Sequence, residues 1–460
     1  MSINRKQFIH RASAFALGFS GLHIFSSCSS RKEGSPGLIT EPFGPLVPDP
    51  DSIFDLPEEF SYKIISRFHD KMDDGFYVPH RPDGMATFEG PDGTTILIRN
   101  HEVNAASGGA ESAFGSDFEL LDKLNEDDFY DYGVNRNPGQ GGTTTVIYDT
   151  ENQQVVRQYL SLAGTIRNCA GGPTPWNSWL TCEEFVSEPN DTFAKYHGYV
   201  FEVPARTEPG LARPVPIREM GRFNHEAVAV DPETGIVYLT EDDSEGLLYR
   251  FIPNTPGKLL EGGRLQALMV TNEPQKDTRN WDEQTVAVSQ SMNAEWIDLE
   301  NVDSPEADLR YRGFEKGAAR FARGEGMWYG NGAVYFACTN GGRKELGQIW
   351  KLTPGSGQNQ ADKLELFVEP NNGSMIENAD NLTVAPWGDL FVCEDGDNAQ
   401  YLLGITPDGE IYKFGKNAIS TSELAGATFS PDGSTLFMNI QHEGLTLAIT
   451  GPWQDAREQA

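Results

Sequence analysis

The chain has 460 residues, with 68 acidic against 36 basic side chains and a formal net charge of −32. That surplus excludes non-specific binding to nucleic acid or to an anionic surface, and it suits hard cations held through oxygen. Forty-eight glycines and 28 prolines argue against a helical bundle and for many short strands joined by turns.

In chain order, residues 1–27 read as an export signal. Arg5 and Lys6 precede an uncharged run from Ala12 to Phe25 that is too short to span a bilayer. The Arg-Lys pair followed by Phe-Ile resembles a twin-arginine signal. FSSC at 25–28 resembles a lipobox, which makes Cys28 the candidate lipidated residue. The expected location is periplasmic or outer-envelope, with that lipid as the sole membrane attachment. Residues 28–50 are rich in Ser, Pro and Gly and read as a tether, leaving 51–460 for one folded domain.

An internal repeat fills that domain. Its six copies are DGMATFEGPDGTTILIRNHE (83–102), NCAGGPTPWNSWLTCEE (168–184), NHEAVAVDPETGIVYLTEDD (224–243), GEGMWYGNGAVYFACTNGG (324–342), ADNLTVAPWGDLFVCEDG (379–396) and LAGATFSPDGSTLFMNIQHEG (424–444). Each is a short apolar run, a Pro/Gly/Asn turn and a stronger apolar run, which is hairpin chemistry. Six similar antiparallel hairpins predict an all-β, six-bladed β-propeller with long inter-blade loops and an axial metal site.

In such a fold equivalent positions converge on one channel. Asp83, Glu226, Glu325 and Asn381 lie at the start of the first runs. Asn100-His101-Glu102, Cys182-Glu183-Glu184, Glu241-Asp242-Asp243, Thr339-Asn340, Glu394-Asp395, and Asn439 with His442-Glu443 lie at the end of the second runs. So many carboxylates in one mouth repel one another unless cations neutralise them. Cys182 abuts two of them, and a thiolate ligand there implies a softer or transition metal. The alternative for Cys182 is a disulfide with Cys169. Cys338 and Cys393 lie inside apolar runs and suit simple burial.

The segments NHE (100–102), WLTCEE (179–184), GRFNHEAVAVDP (221–232), YLTEDD (238–243), ADNLTV and CEDG within 379–396, and FSPDGSTLFMNIQHEG (429–444) resemble the PhoX alkaline phosphatase family over most of residues 50–455. The resemblance implies an exported hydrolase of small-molecule phosphate esters. It also implies two Fe3+ and three Ca2+ around a bridging oxo group, with a metal-bound oxygen as nucleophile. Carried onto this sequence, it makes Cys182 the thiolate ligand to iron. Glu102, Glu183, Glu226, Glu241, Glu325 and Glu394 become cluster carboxylates, with Asp242 and Asp395 as further candidates. Arg323, two residues before Glu325, becomes the arginine that grips the phosphate, and the pair is expected to be catalytic. A monomer is expected. His101, His225 and His442 each precede a Glu and are expected to orient neighbouring carboxylates. The sequence has no G-x-S-x-G elbow and no Walker-type loop. Two rival readings are a calcium-dependent lactonase, which has no use for a thiolate, and a non-catalytic binding scaffold.

Overall fold

A computed structural model describes residues 41–104, 108–355 and 361–453. The export signal, Cys28 and most of the expected tether lie outside the described residues. Of the tether's last ten residues, Leu46–Val47 pairs with Phe54–Pro57. Phe43 is buried there against Phe60, Phe414 and Trp453. Among the described residues no helix is long and apolar enough to cross a membrane.

All six repeat copies form antiparallel strand pairs. They are Pro82–Glu89 with Thr94–His101, Asn168–Pro173 with Ser178–Glu183, His225–Val230 with Val237–Glu241, Gly324–Gly330 with Ala333–Cys338, Ala379–Val384 with Leu390–Glu394, and Leu424–Phe429 with Thr435–Ile440. The turns follow the residues that accept a left-handed backbone: in the fourth pair Asn331 and Gly332 have φ of 53° and 72°. The first strand of each pair lies beside the first strand of the next, and the sixth returns to the first, so these six strands surround one axis. They approach closely: a Cβ on Gly84 would stand 2.6 Å from the Ala170 Cα, and one on Gly326 equally close to the Asn381 Cα.

The sheets these pairs belong to differ from the expected six blades. Among the described residues there are five sheets, of six, three, nine, four and four strands. Four are separate and blade-like. The nine-stranded sheet holds the third and fourth pairs at its two edges, because Ser291–Asp298 pairs with Asp362–Val368 and joins what would have been two blades. Its edge strands, His225–Val230 and Gly324–Gly330, lie against each other, so the sheet curls nearly closed. The six-bladed propeller is therefore corrected to four blades plus one nearly closed nine-stranded sheet. The repeat marks only the inner hairpins, and the outer-strand ladder that fuses two of them carries no repeat signal.

Aromatic side chains fill the space between sheets: Phe391, Phe414, Phe429 and Trp453 form one such layer, Phe321, Phe336 and Trp350 another. Burying each contributes about 1.5–3 kcal/mol. Ser61–Arg67 pairs with Leu445–Thr450, which ties the two ends of the domain into one sheet.

Candidate metal centre

Every first strand carries a register shift two or three residues in: between Pro82 and Met85, Asn168 and Gly171, His225 and Val228, Gly324 and Met327, Ala379 and Leu382, and Ala425 and Thr428. A bulge of this kind breaks the two-residue alternation and re-aims a side chain. In five of the six strands the residue at the shift is a potential ligand: Asp83, Cys169, Glu226, Glu325 and Asp380. A second ring comes from the residue just after each second strand, with Glu102, Glu184, Asp242 and Asp395 in four copies, Thr339 in the fourth and Gln441 in the sixth.

These rings meet. Among the described residues four groups of acidic and thiol side chains have ligand atoms within 4.8 Å of one another: Glu102, Cys169 and Glu184; Asp83, Glu102 and Glu423; Glu226, Glu325 and Asp380; and Asp380, Asp395 and Glu423. Shared members join the groups into one chain of contacts. The Cys169 thiol donates to Glu226 Oε1 at 3.1 Å, while Glu226 Oε2 is buried with no hydrogen-bond partner among the described residues. A buried carboxylate oxygen left without a donor is costly, and a cation is what such an atom lacks.

The electrostatics lead to the same need. Burial pushes the carboxyls of Asp83, Glu184, Glu226 and Glu325 well above the usual range, and neighbouring carboxylates push them further. Asp380 is raised to about 7 by burial and by the charge of Asp395. Burial and the charges of Asp83 and Glu226 likewise raise the Cys169 thiol. Unless multivalent cations sit among them, these groups cannot all ionise.

Two arginines brace the rim. Arg323 Nε and Nη2 each donate to Asp242 at 2.8 Å, and Nη2 also reaches Glu325 Oε1 at 2.9 Å. Arg167 Nη2 pairs with Glu102 Oε1 at 2.5 Å and Glu184 Oε2 at 2.7 Å. Each arginine leaves one edge of its guanidinium uncommitted among the described residues.

Of the residues expected from sequence, Glu102, Glu226, Glu325 and Asp395 fall in these groups, and Asp242 lies on Arg323. Cys182, Glu183, Glu241 and Glu394 do not join them. Cys182 is buried in an apolar cluster with Leu180, Val200 and Val228, where burial alone raises its pKa. The three glutamates end their strands pointing away from the axis and accept local bonds. Glu183 takes the backbone N–H of Ile166 and Gly198. Glu241 takes Tyr249 Oη and Leu247 N. Glu394 takes the N–H of Glu377 and Tyr401. In each acidic doublet the first residue is structural and the second faces the centre. Sequence reasoning misses Cys169, Asp380, Glu423 and Arg167, and it leaves Asp83 and Glu184 out of the ligand set. The signal is present as one shared position in five first runs, and it is hidden where the fifth copy is aligned on Asn381 instead of Asp380. The four cysteines among the described residues are free, so no Cys169–Cys182 disulfide forms. His101 and His225 are wholly buried and hydrogen-bonded, His101 to His80 O and Thr144 Oγ1 and His225 to Gly221 O.

Behind Glu183 stands His197, fully buried between Glu183 Oε1 at 2.7 Å and Asp131 Oδ2 at 3.1 Å. Burial opposes its charge, yet the Glu183 charge and the Asp131 hydrogen bond raise it from 6.5 to about 9. Asp131 shifts the opposite way, as its partner should. With the folded value raised, the stabilisation is fully present below about pH 6.5 and is lost as pH rises through about 9. His197→Gln is expected to cost about 3 kcal/mol at pH 6 and progressively less above pH 9. Urea melts of both proteins at the two pH values measure this, and an equal cost at each pH would rule out the ion-paired histidine.

A family model described as alkaline phosphatase PhoX matches residues 41–444. No curated protein matches the chain. Among solved structures, Pseudomonas fluorescens PhoX in complex with vanadate, a transition state analogue, is 18% identical with a TM-score of 0.64, covering 92% of this chain and 99% of its own. A gluconolactonase from Xanthomonas campestris is 10% identical over 89% of this chain and 98% of its own, with a TM-score of 0.38, too slight a likeness to argue from.

Proposed function

Since the chain belongs to the alkaline phosphatase PhoX family and is a metal-dependent phosphoric ester hydrolase, we propose that its catalytic centre is the ring around Cys169 and that it holds iron and calcium. The carrying observation is the convergence of eight carboxylates and one thiol in four contacting groups. Sulfur favours a transition metal and carboxylate oxygen favours calcium, so the donor set fits a mixed cluster. Eight carboxylates and a thiolate bring nine negative charges; two ferric and three calcium ions around one oxo dianion bring about ten positive ones, so the two nearly balance.

When bound, such cations supply the electrophilic pull on the ester phosphate and activate the attacking oxygen. The remaining tasks belong to the chain. Cys169, grouped with Glu102 and Glu184, would hold the softer ion, and Glu226, Glu325, Asp380, Asp83, Asp395 and Glu423 would complete the ring. Arg323, with Asp242 and Glu325 fixing its plane, presents its free edge to the phosphate oxygens. Glu325 thereby both faces the cations and orients Arg323. His101 and His225, buried and bonded to the backbone, hold the strand ends that carry Glu102 and Glu226. The exported, envelope location and the lipid on Cys28 belong to this reading, supported by the signal-like first 27 residues. The vanadate bound by the Pseudomonas fluorescens relative fits a phosphate ester as substrate.

Arg323→Ala is expected to raise KM for p-nitrophenyl phosphate by about tenfold or more, with a smaller loss in kcat. Unchanged kinetics would move the phosphate clamp elsewhere. The direct test of the reading is elemental analysis of protein purified after export, run beside hydrolysis of the same ester before and after chelation. Protein free of iron and calcium that still hydrolyses the ester would sink it.

A further inference from the structure

Three arginines share one repeat position, the residue just before a first strand: Arg81, Arg167 and Arg323. All three have a left-handed backbone, with φ of 47°, 46° and 49°. For a residue with a Cβ this costs about 1 kcal/mol, and the fold sustains it three times at the rim of one ring. Arg167 and Arg323 are answered by carboxylates, as described above. Arg81 is not: among the described residues it has no acidic partner, and its Nη1 meets Gln441 Oε1 at 3.3 Å and His442 Nε2 at 3.1 Å.

Gln441 is a neutral acceptor fixed by its other bonds. Gln441 Nε2 donates to Asp83 Oδ2 at 2.7 Å and Glu102 Oε2 at 2.8 Å, which leaves only its carbonyl oxygen for Arg81. His442 Nε2 can receive a guanidinium proton only when it carries none itself. Arg81 is half-buried and stands on the same rim as Arg323. Gln441 links it to Asp83 and Glu102, these meet Glu423, and the contacts run on through Asp380 to Glu325 and Arg323. The mouth thus contains one guanidinium whose charge no described side chain neutralises, in surroundings that otherwise repel anions.

We propose that Arg81 receives a second anionic group of the substrate, so that the favoured substrates are phosphate esters whose alcohol portion carries a carboxylate or a further phosphate. This deepens the phosphatase reading and rests on it. Arg167 and Arg323 share their charge with two carboxylates each. An anion on the leaving alcohol finds an unshared partner at Arg81, and the planar fork suits carboxylate and phosphate alike.

The experiment is calorimetric binding of ω-carboxyalkylphosphonates of about two to four methylenes to the metal-loaded, exported protein, each compared with the alkylphosphonate of equal length. The best-fitting carboxylate member is expected to bind about tenfold tighter than its uncharged counterpart. Arg81→Gln is expected to cut that preference to about twofold or less, and Arg81→Lys to retain part of it. If the glutamine variant does not fold, the wild type and the lysine variant still decide. No preference in the wild type, or a preference left undiminished by either substitution, overturns the proposal. Hydrolysis of p-nitrophenyl phosphate by the same preparations tests the phosphatase reading separately. Phosphonates bound with an Arg81-dependent preference beside an ester left intact would remove the phosphatase reading, and with it the claim that the anion Arg81 receives belongs to a substrate. Esters cleaved with no such preference would remove only the role of Arg81.

Discussion

Cys169→Ser is expected to lose p-nitrophenyl phosphate hydrolysis by at least about a hundredfold and to lose any visible absorbance, while Cys182→Ser keeps both. The contrast follows from where each thiol stands. Cys169 lies at a bulge, its Sγ 3.1 Å from Glu226 Oε1 and among Glu102 and Glu184. A thiolate bound to ferric iron absorbs visible light, and a serine hydroxyl is a harder, more weakly ionising donor that does not replace it. Loss of a group that only orients a ligand already costs about ten- to a hundredfold in many metal sites, so loss of the ligand should cost more. Cys182 packs in an apolar cluster. There the serine hydroxyl enters without a designed partner, at about 1–3 kcal/mol of stability. Absorbance spectra, steady-state rates and thermal melts of the two variants separate the roles. A colourless, inactive Cys182→Ser beside an active Cys169→Ser would reverse the assignment.

Stripping the cations should turn the ring into a pH-dependent weak point. Asp380 has its carboxyl raised from 3.8 to about 7 by burial and Asp395, and Asp83, Glu226 and Glu325 shift in the same direction. For an acid raised in the folded state, the neutral form is what folding tolerates. Stability is therefore fully present below the unfolded value near 4 and falls as pH rises through about 7. Every tenfold difference in proton affinity between the folded and unfolded chain is worth about 1.4 kcal/mol, so several coupled groups amount to several kcal/mol. Chelated protein should then melt roughly 5–10 °C lower at pH 8.5 than at pH 5. The metal-loaded protein should lose much less, because its carboxylates are already ionised against cations. Scanning calorimetry of both forms across that range measures the difference. Parallel melting curves with and without metal would mean that the ring does not hold the ions.

Much of this molecule was legible in one dimension. The six hairpins fall where the repeat puts them, because alternating apolar runs around Pro, Gly and Asn turns have few other ways to fold. The convergence of acidic positions was legible too, since equivalent places in a closed circle of strands must meet. Glu102, Glu226, Glu325 and Asp395, expected there from the repeat and the resemblance, do lie in the contacting acidic groups, and Arg323 stands beside Glu325 at 2.9 Å. The phase is what the pattern leaves open: Cys182 is expected at the mouth from its place beside two carboxylates and from the family resemblance, and the acidic doublets give no sign which member turns inward. A bulge in each first strand resets the count, so Asp83, Cys169 and Asp380 face the centre, while Glu183, Glu241 and Glu394 accept backbone N–H groups from neighbouring loops.

The sequence by itself determined the all-β hairpin repeat, the acidic character of its shared mouth and the family to which the motifs belong, all of which are properties of local pattern and composition. Only the tertiary structure decided that two hairpins share one nine-stranded sheet, that the thiol in the ring is Cys169, and that Arg81 lacks, among the described residues, the carboxylate its two counterparts have. Those outcomes depend on outer-strand pairing, on one-residue bulges and on contacts between remote segments, such as Arg81 with Gln441, 360 residues apart. No local pattern encodes them, because each is settled by which distant groups arrive within hydrogen-bonding distance.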